Sequence, residues 1–247
     1  MAIVTVVLIH GFPETPAIWS PLSERLTSSE VVTLQLPGFG CAAPSGWTAT
    51  KEDYLAWLSE ELAALSPHGR LDVVGHDWGG GLLVAAVAAR PDLVRSWVCD
   101  ILGVFHPDYQ WHDFARFMQL PDANEEMVVN VLTGELFMSL GFPGDVAAQV
   151  VASIDDEYAR CALALYRSAA QPAMVEWGRD ISTAGSRPGL VLKAELDSYA
   201  GTLEQVEAMS DRIGATTRLV PDQGHWWMLS DPEGSAAILE EFWATLA

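Results

Sequence analysis

Asp77 stands in Val73-Val74-Gly75-His76-Asp77-Trp78-Gly79-Gly80-Gly81, an apolar run that ends in an acid flanked by glycines. A carboxylate with a reference pKa of about 3.9 is already ionised at pH 7, so it can attack carbon without first losing a proton, as a serine must. Asp77 is therefore a candidate nucleophile towards an electrophilic sp3 carbon. The elements that would position it are legible on either side. Leu71 to Val74 reads as a buried, β-branched strand, and Leu82 to Ala89 as an alanine-rich helix. Between them, Gly75 and Gly79 at G-x-D-x-G spacing permit a tight turn that holds the acid in a strained conformation at the rim of a sheet. The following helix N-terminus, with its unpaired N–H groups, favours negative charge there. The same pattern also suits an aspartate that merely caps a helix.

The segment resembles the nucleophile elbow of the α/β-hydrolases, in the aspartate-bearing form Gly-His-Asp-Trp-Gly-Gly of epoxide hydrolases and many haloalkane dehalogenases. That resemblance implies partners elsewhere in the chain. His10-Gly11-Phe12-Pro13, directly after an apolar strand, resembles the family's oxyanion turn, so the amides of Phe12 and Trp78 would form an oxyanion hole. Gly224-His225, after the last strand, resembles the family's catalytic histidine and makes His225 the base. Lys193-Ala194-Glu195-Leu196-Asp197 resembles the strand-end G-E-x-D, with Asp197 as the acid that orients the histidine. Glu195 is the near alternative, because only one of the two can face the imidazole. Asp100 is a rival, since some haloalkane dehalogenases carry the acid at that strand end; otherwise it is a strand-terminal Asp that binds loop amides.

Leu163-Ala164-Leu165-Tyr166-Arg167, ahead of Trp177, resembles a helix of the epoxide hydrolase cap whose phenol points at the nucleophile, making Tyr166 a candidate acid. Its other reading is a packing side chain. The family's second cap tyrosine falls near Phe117, which cannot donate, and Tyr109 and His112 are the candidates to replace it. His10, Tyr109, Phe117 and Trp226 are expected to line the substrate pocket. His10 and His76 would stand behind the reacting groups, and His68 in a surface turn. Three functions are implied: an epoxide hydrolase, favoured by His10-Gly11-Phe12-Pro13 and Tyr166; a haloalkane dehalogenase, favoured by the indole of Trp78; and a non-catalytic ligand receptor on the same scaffold. A fluoride-releasing enzyme fits less well, because those relatives usually carry Arg where this chain has Trp78.

The remaining elements fit an α/β fold with a mostly parallel sheet flanked by helices. Strands are expected at Ile3 to Ile9, Val31 to Leu36, Arg95 to Asp100, Leu190 to Ala194 and Thr216 to Val220, and helices at Ile18 to Leu26, Thr50 to Leu65 (stopped by Pro67) and Ile238 to Leu246. Family members usually have two more strands before His10, so the expected sheet is truncated to about six strands, with the Met1 segment near an edge. Helical patterns at Trp111 to Leu120, Glu125 to Leu140, Asp145 to Ile154, Asp156 to Ala169 and Ala173 to Ile181 imply an inserted helical cap, 103–185, on a core of 1–102 and 186–247.

Composition narrows the partners. Thirteen Lys and Arg against 33 Asp and Glu give a formal charge of −20, which repels phosphate backbones and anionic lipid, so neither nucleic acid nor a membrane is expected. The longest clean apolar run, Leu82 to Ala89, is far below the roughly 18 residues that span a bilayer. Cys41, Cys99 and Cys161 are odd in number and lack paired spacing, which points to a reducing, cytoplasmic setting. Metal-binding histidine and cysteine spacings are missing, and neither metal nor cofactor is expected. Ten tryptophans and an apolar composition suit an apolar small-molecule substrate, with water as co-substrate.

Overall fold

A computed structural model describes residues 4–27, 30–66 and 71–246. The expected positions of Met1, Ile3, Pro67 and His68 lie outside the described residues. Six strands form one sheet: β1 (Thr5–Ile9), β2 (Glu30–Leu34), β3 (Leu71–Gly75), β4 (Val94–Cys99), β5 (Gly189–Ala194) and β6 (Thr216–Val220). Their order is β2-β1-β3-β4-β5-β6, and every neighbouring pair is parallel. β3 and β5 are buried along their whole length, as strands covered on both faces must be. The edge strands β2 and β6 are largely uncovered until their last residue.

Register places the chemistry. Ile9 pairs with Gly75, and Gly75 with Cys99, so β1, β3 and β4 end level and His10, His76 and Asp100 step off the sheet side by side. From β1 the chain moves outward to β2, then crosses back to β3 and runs the other way. The topology therefore switches between β1 and β3, where the loops beyond the strand ends diverge and open a crevice.

Helices α1 (Ser20–Ser23), α2 (Lys51–Leu65), α3 (Trp78–Ala89), α10 (Leu203–Ile213), α11 (Trp227–Ser230) and α12 (Pro232–Ala244) flank the sheet. α3 is buried on nearly every side, which its Gly-Gly-Gly-Leu-Leu-Val-Ala-Ala sequence allows because no polar face needs water. Between β4 and β5 come α4 (Asp113–Met118), α5 (Glu125–Val131), α6 (Gly134–Ser139), α7 (Gly144–Val151), α8 (Asp156–Ser168) and α9 (Ala173–Arg179). Among the described residues no helix is long and apolar enough to cross a membrane.

Local chemistry explains the departures from expectation. The helix expected at Ile18 to Leu26 is a 3-10 turn, Pro16–Trp19, followed by the single turn of α1, each with a proline near its start. The continuous helix expected from Glu125 to Leu140 breaks into α5 and α6, because the Thr133 hydroxyl accepts from the Leu136 amide at 3.2 Å and starts a new helix. α10 was not anticipated, although Thr202 and Gln205 form a reciprocal capping box at its start and Gly214 closes it in the left-handed conformation.

Candidate active site

The turn from β3 into α3 holds Asp77 at φ 49° and ψ −124°, a backbone region that costs a side-chain-bearing residue about 1–3 kcal/mol. Glycines make the turn possible. A Cβ on Gly79 would lie 2.5 Å from the His10 carbonyl oxygen, and one on Gly75 would lie 2.5 Å from the Gly79 carbonyl oxygen. A third glycine serves the acid directly, since a Cβ on Gly11 would meet Asp77 Oδ1 at 2.4 Å and the Trp78 nitrogen at 2.7 Å. The Phe12 amide donates to Asp77 Oδ1 at 2.9 Å, and the Trp78 amide opens onto the same small space. Asp77 Oδ2 is the other, freer oxygen, 3.8 Å from His225 Nε2.

His225 is placed by the loop after β6 and oriented by the loop after β5. Its Nδ1 lies 2.9 Å from Asp197 Oδ2, while Asp197 Oδ1 accepts from the Tyr199 amide at 2.7 Å. Glu195 turns away, and its carboxylate accepts from the Asp222 amide at 3.0 Å. Burial disfavours charge on Asp197, but the His225 imidazole and the Tyr199 amide outweigh it and hold the carboxyl down at about 2. Burial likewise lowers His225, yet the Asp197 carboxylate reverses the balance and leaves the imidazole above its ordinary value. For Asp77, burial and the nearby Glu14 carboxylate push the pKa up to about 6, against the imidazoles of His225 and His76. Asp77 is thus still mostly ionised at pH 7.

Asp100 binds the elbow, not His225. Its Oδ1 accepts from the Asp77 amide at 3.0 Å, and its Oδ2 lies 2.5 Å from His76 Nδ1 and accepts from the Trp227 indole at 2.7 Å. The level ends of β3 and β4 bring this pair together.

Glu14 was not singled out from sequence, yet it is wholly buried beside these groups. Its Oε1 accepts from the Trp226 indole at 2.6 Å and lies 3.6 Å from His76 Nε2. Its Oε2 and His76 Nε2 have no hydrogen-bond partner among the described residues. No spacing rule exposes such a residue: it follows the H-G-F-P turn by one position, and its burial comes from tertiary neighbours, Trp226, His76 and Tyr158 among them.

A cavity of about 720 Å³, mouth included, opens over Asp77 and His225. Phe12, Phe114, Leu132, Leu136, Leu140 and Trp226 give it apolar walls, and Tyr166, His112 and Tyr199 supply its other polar groups. A smaller chamber shares Asp77, His112, Tyr166 and Tyr199 with this cavity and is lined further by Trp78, Tyr109 and Trp111. Tyr166 is buried where both spaces meet, its ring edge-on to Phe12 and Trp78 at 5.5 and 5.1 Å. Burial, and next the negative charge of Asp77, raise its phenol well above the ordinary range, so it keeps its proton.

Two expected pocket residues lie elsewhere. His10 is fully buried behind the wall, its Nε2 accepting from the Leu36 amide at 3.1 Å and its Nδ1 lying 2.8 Å from the Gly11 carbonyl oxygen; burial lowers it to about 4, so it is a neutral pin between loops. Phe117 stacks on the far side of Phe114 at 6.1 Å and does not reach the cavity. Tyr109 reaches only the smaller chamber, and its hydroxyl is committed to the Tyr199 carbonyl oxygen at 2.7 Å. His112 faces both spaces. Its Nδ1 accepts from the Ala115 amide at 3.3 Å as the N-cap of α4, which puts the proton of the neutral ring on Nε2, and burial keeps it neutral by lowering its pKa to about 4.

Comparison with known proteins agrees with this architecture. Epoxide hydrolase 3 of Xenopus tropicalis is 32% identical over 109 residues, 43% of this chain and 29% of that protein. Human epoxide hydrolase 4 is 29% identical over 103 residues, 41% and 28% respectively. The matched stretch thus spans less than a third of either relative's length. Among solved structures, Cfl2 from Burkholderia cenocepacia superposes with a TM-score of 0.79 at 21% identity, covering 97% of this chain and 88% of that one. A loop variant of a haloalkane dehalogenase from Bradyrhizobium elkanii gives 0.73 at 16% identity, covering 99% and 92%. Those likenesses show the fold. The model of the alpha/beta hydrolase family matches residues 6–238, from the first strand into the last helix, and the chain therefore belongs to that family.

Proposed function

We propose that the protein is an epoxide hydrolase that works through an ester on Asp77. The reading rests above all on the division of that carboxylate: Oδ1 is held by the Phe12 amide, while Oδ2 faces an apolar cavity beneath a protonated phenol. Residues 103–185 act as the cap, with Tyr166 and His112 among the groups they contribute. Among the described residues the cavity lining holds no lysine or arginine, which suits a neutral, apolar epoxide as substrate. The curated relatives named epoxide hydrolases support the same choice.

In the first step Asp77 Oδ2 attacks an epoxide carbon, the carbon–oxygen bond breaks, and the alkoxide takes the Tyr166 proton while His112 Nε2–H donates a second hydrogen bond. In the second, His225 takes a proton from water and the hydroxide adds to the Asp77 carboxyl carbon. The oxyanion forms at Oδ1 against the amides of Phe12 and Trp78, where each such donor typically contributes about 3 kcal/mol. Glu14 Oε2 and His76 Nε2, which have no hydrogen-bond partner among the described residues and lie beside His225, give that water polar neighbours. As the ester breaks, His225 returns its proton to the departing diol oxygen, and the proton of the new carboxyl hydroxyl restores Tyr166.

Single turnover of an aryl epoxide in heavy-oxygen water tests the route. The first diol carries unlabelled oxygen from Asp77, and His225→Gln accumulates the alkyl-enzyme as a mass adduct; labelled first-turnover diol with no adduct would reject the ester. Tyr166→Phe should slow ring opening by about 10²-fold or more. A second reading, haloalkane dehalogenase, is favoured by one observation. The Trp111 indole N–H has no partner among the described residues and lines the chamber beside Asp77 and Trp78, where a departing halide would be received. Halide release from bromoalkanes that survives Tyr166→Phe would select it. If neither epoxide nor haloalkane turns over and no adduct forms, the scaffold is a receptor.

A further inference from the structure

Three buried side chains from three different loops converge behind the reacting carboxylate. One ligand-type atom each of Glu14, His76 and His225 falls within 4.8 Å of the others, the one such trio among the described residues. Their arrangement goes beyond proximity. Each imidazole is gripped through Nδ1 by its own carboxylate, His76 by Asp100 at 2.5 Å and His225 by Asp197 at 2.9 Å, which leaves both Nε2 atoms aimed inward. That carboxylate–histidine pattern is the one that orients ligands around zinc. Glu14 is steadied in a similar way, since the Trp226 indole holds Oε1 while Oε2 has no partner among the described residues, and neither does His76 Nε2.

We infer that Glu14, His76 and His225 form a binding site for one Zn2+ ion. Ligand atoms around tetrahedral zinc stand about 3.4 Å apart, given bonds of about 2.0–2.1 Å. The His76 Nε2 to Glu14 Oε1 separation is already 3.6 Å, and since the three atoms lie within 4.8 Å of one another, closing the widest gap takes up to about 1.4 Å of side-chain movement. Two imidazoles and one carboxylate are a zinc donor set that leaves a fourth position open. Here that position points to Asp77 Oδ2, 3.8 Å from His225 Nε2, or to a water in the cavity. Asp77, Asp100 and Asp197 surround the trio with further negative charge, which favours a cation.

Occupancy has a chemical consequence, which rests on the hydrolase reading above. Zinc takes the Nε2 lone pair with which His225 would deprotonate water, so the metal-bound protein is an inhibited state. The binding itself is independent of that reading and is tested without turnover. Protein stripped with EDTA and then freed of chelator should take up one Zn2+ per chain in equilibrium dialysis, read by atomic emission. Glu14→Gln and His76→Gln should each weaken uptake at least tenfold, whereas Cys41→Ser, which removes the exposed thiol, should leave it unchanged.

Cobalt supplies a measurement that needs no variant. Co2+ bound to the unaltered chain should give visible absorption of a four- or five-coordinate nitrogen and oxygen site without the strong near-ultraviolet band of thiolate ligands. Failure to bind stoichiometrically, uptake insensitive to Glu14→Gln and His76→Gln, or a thiolate band would each overturn the proposal. Stoichiometric zinc on a protein whose metal-free form opens no epoxide would sustain the site and reject only the hydrolase reading.

Discussion

Two imidazole–carboxylate pairs stand side by side in this molecule, His225 with Asp197 and His76 with Asp100, their rings 4.5 Å apart. Their chemistry is the same and their surroundings are not. In the His76 pair the carboxylate is committed: Asp100 also holds the Asp77 amide and the Trp227 indole, and the imidazole is buried between Asp100 and Glu14, behind the cavity wall. Burial works against charge on His76, but these two carboxylates prevail and raise its pKa well above the ordinary value. In the His225 pair, Nε2 faces Asp77 Oδ2 and the cavity, and only Asp197 is fixed from behind. The lesson is that a histidine–acid pair becomes a candidate for proton transfer by where its second nitrogen opens. The other pair, built alike, serves as scaffolding for the elbow.

The sharpest way to break this contrast is to neutralise one acid at a time. Asp197→Asn keeps the shape but leaves His225 in the wrong tautomer, and turnover should fall on the order of 10³–10⁴-fold with folding retained, by the logic of catalytic triads. Asp100→Asn should act chiefly on stability. An amide there presents a donor to groups that themselves donate, and breaking such a buried network costs about 3–5 kcal/mol, readable in urea unfolding. The sign with pH follows from His76. Its folded-state pKa lies above the unfolded value of about 6.5, so its stabilisation is complete below that value and is lost as pH rises through the elevated one. The Asp100→Asn deficit should therefore be greatest near pH 6 and shrink in alkali. Should Asp100→Asn fold as well as the parent yet lose turnover, while Asp197→Asn keeps it, the two pairs have exchanged roles.

Much of the sheet could be read in advance, because buried parallel strands write themselves as apolar runs rich in β-branched residues, such as Val6 to Ile9 and the Val73-Val74 pair of β3. The elbow was legible for a different reason: Gly75, Asp77 and Gly79 encode a backbone conformation, and conformation is local. What escaped depends on tertiary closure. Glu14 reads as an ordinary loop acid until Trp226 covers it, and His10, adjacent to the oxyanion turn, looks like a pocket residue until the Leu36 amide claims it. The sequence already favours Asp197 over Glu195, but the geometry that separates them exists only with the loops after β5 and β6 in place together. α10 belongs with the legible elements, since Thr202 and Gln205 carry its capping box in the sequence.

The smallest expected effect sharpens the contrast from the side of Glu14, a buried acid that stands beside both imidazoles. It faces His76, His225, Asp77 and the Trp226 indole, and its negative charge raises Asp77 and supports the proton on His76. Replacing it by glutamine removes that charge with little change of shape. Asp77 should then ionise at lower pH, and His225, which also feels Glu14, should lose its proton at lower pH as well. Both groups must be deprotonated for the proposed reaction, so the acid limb of kcat/KM should move downward, by about one unit or less. Measuring the profile for the parent and Glu14→Gln with one epoxide decides it. A limb that stays in place would mean that Glu14 is insulated from the reacting pair, and a limb that moves upward would mean that its charge is not what raises Asp77.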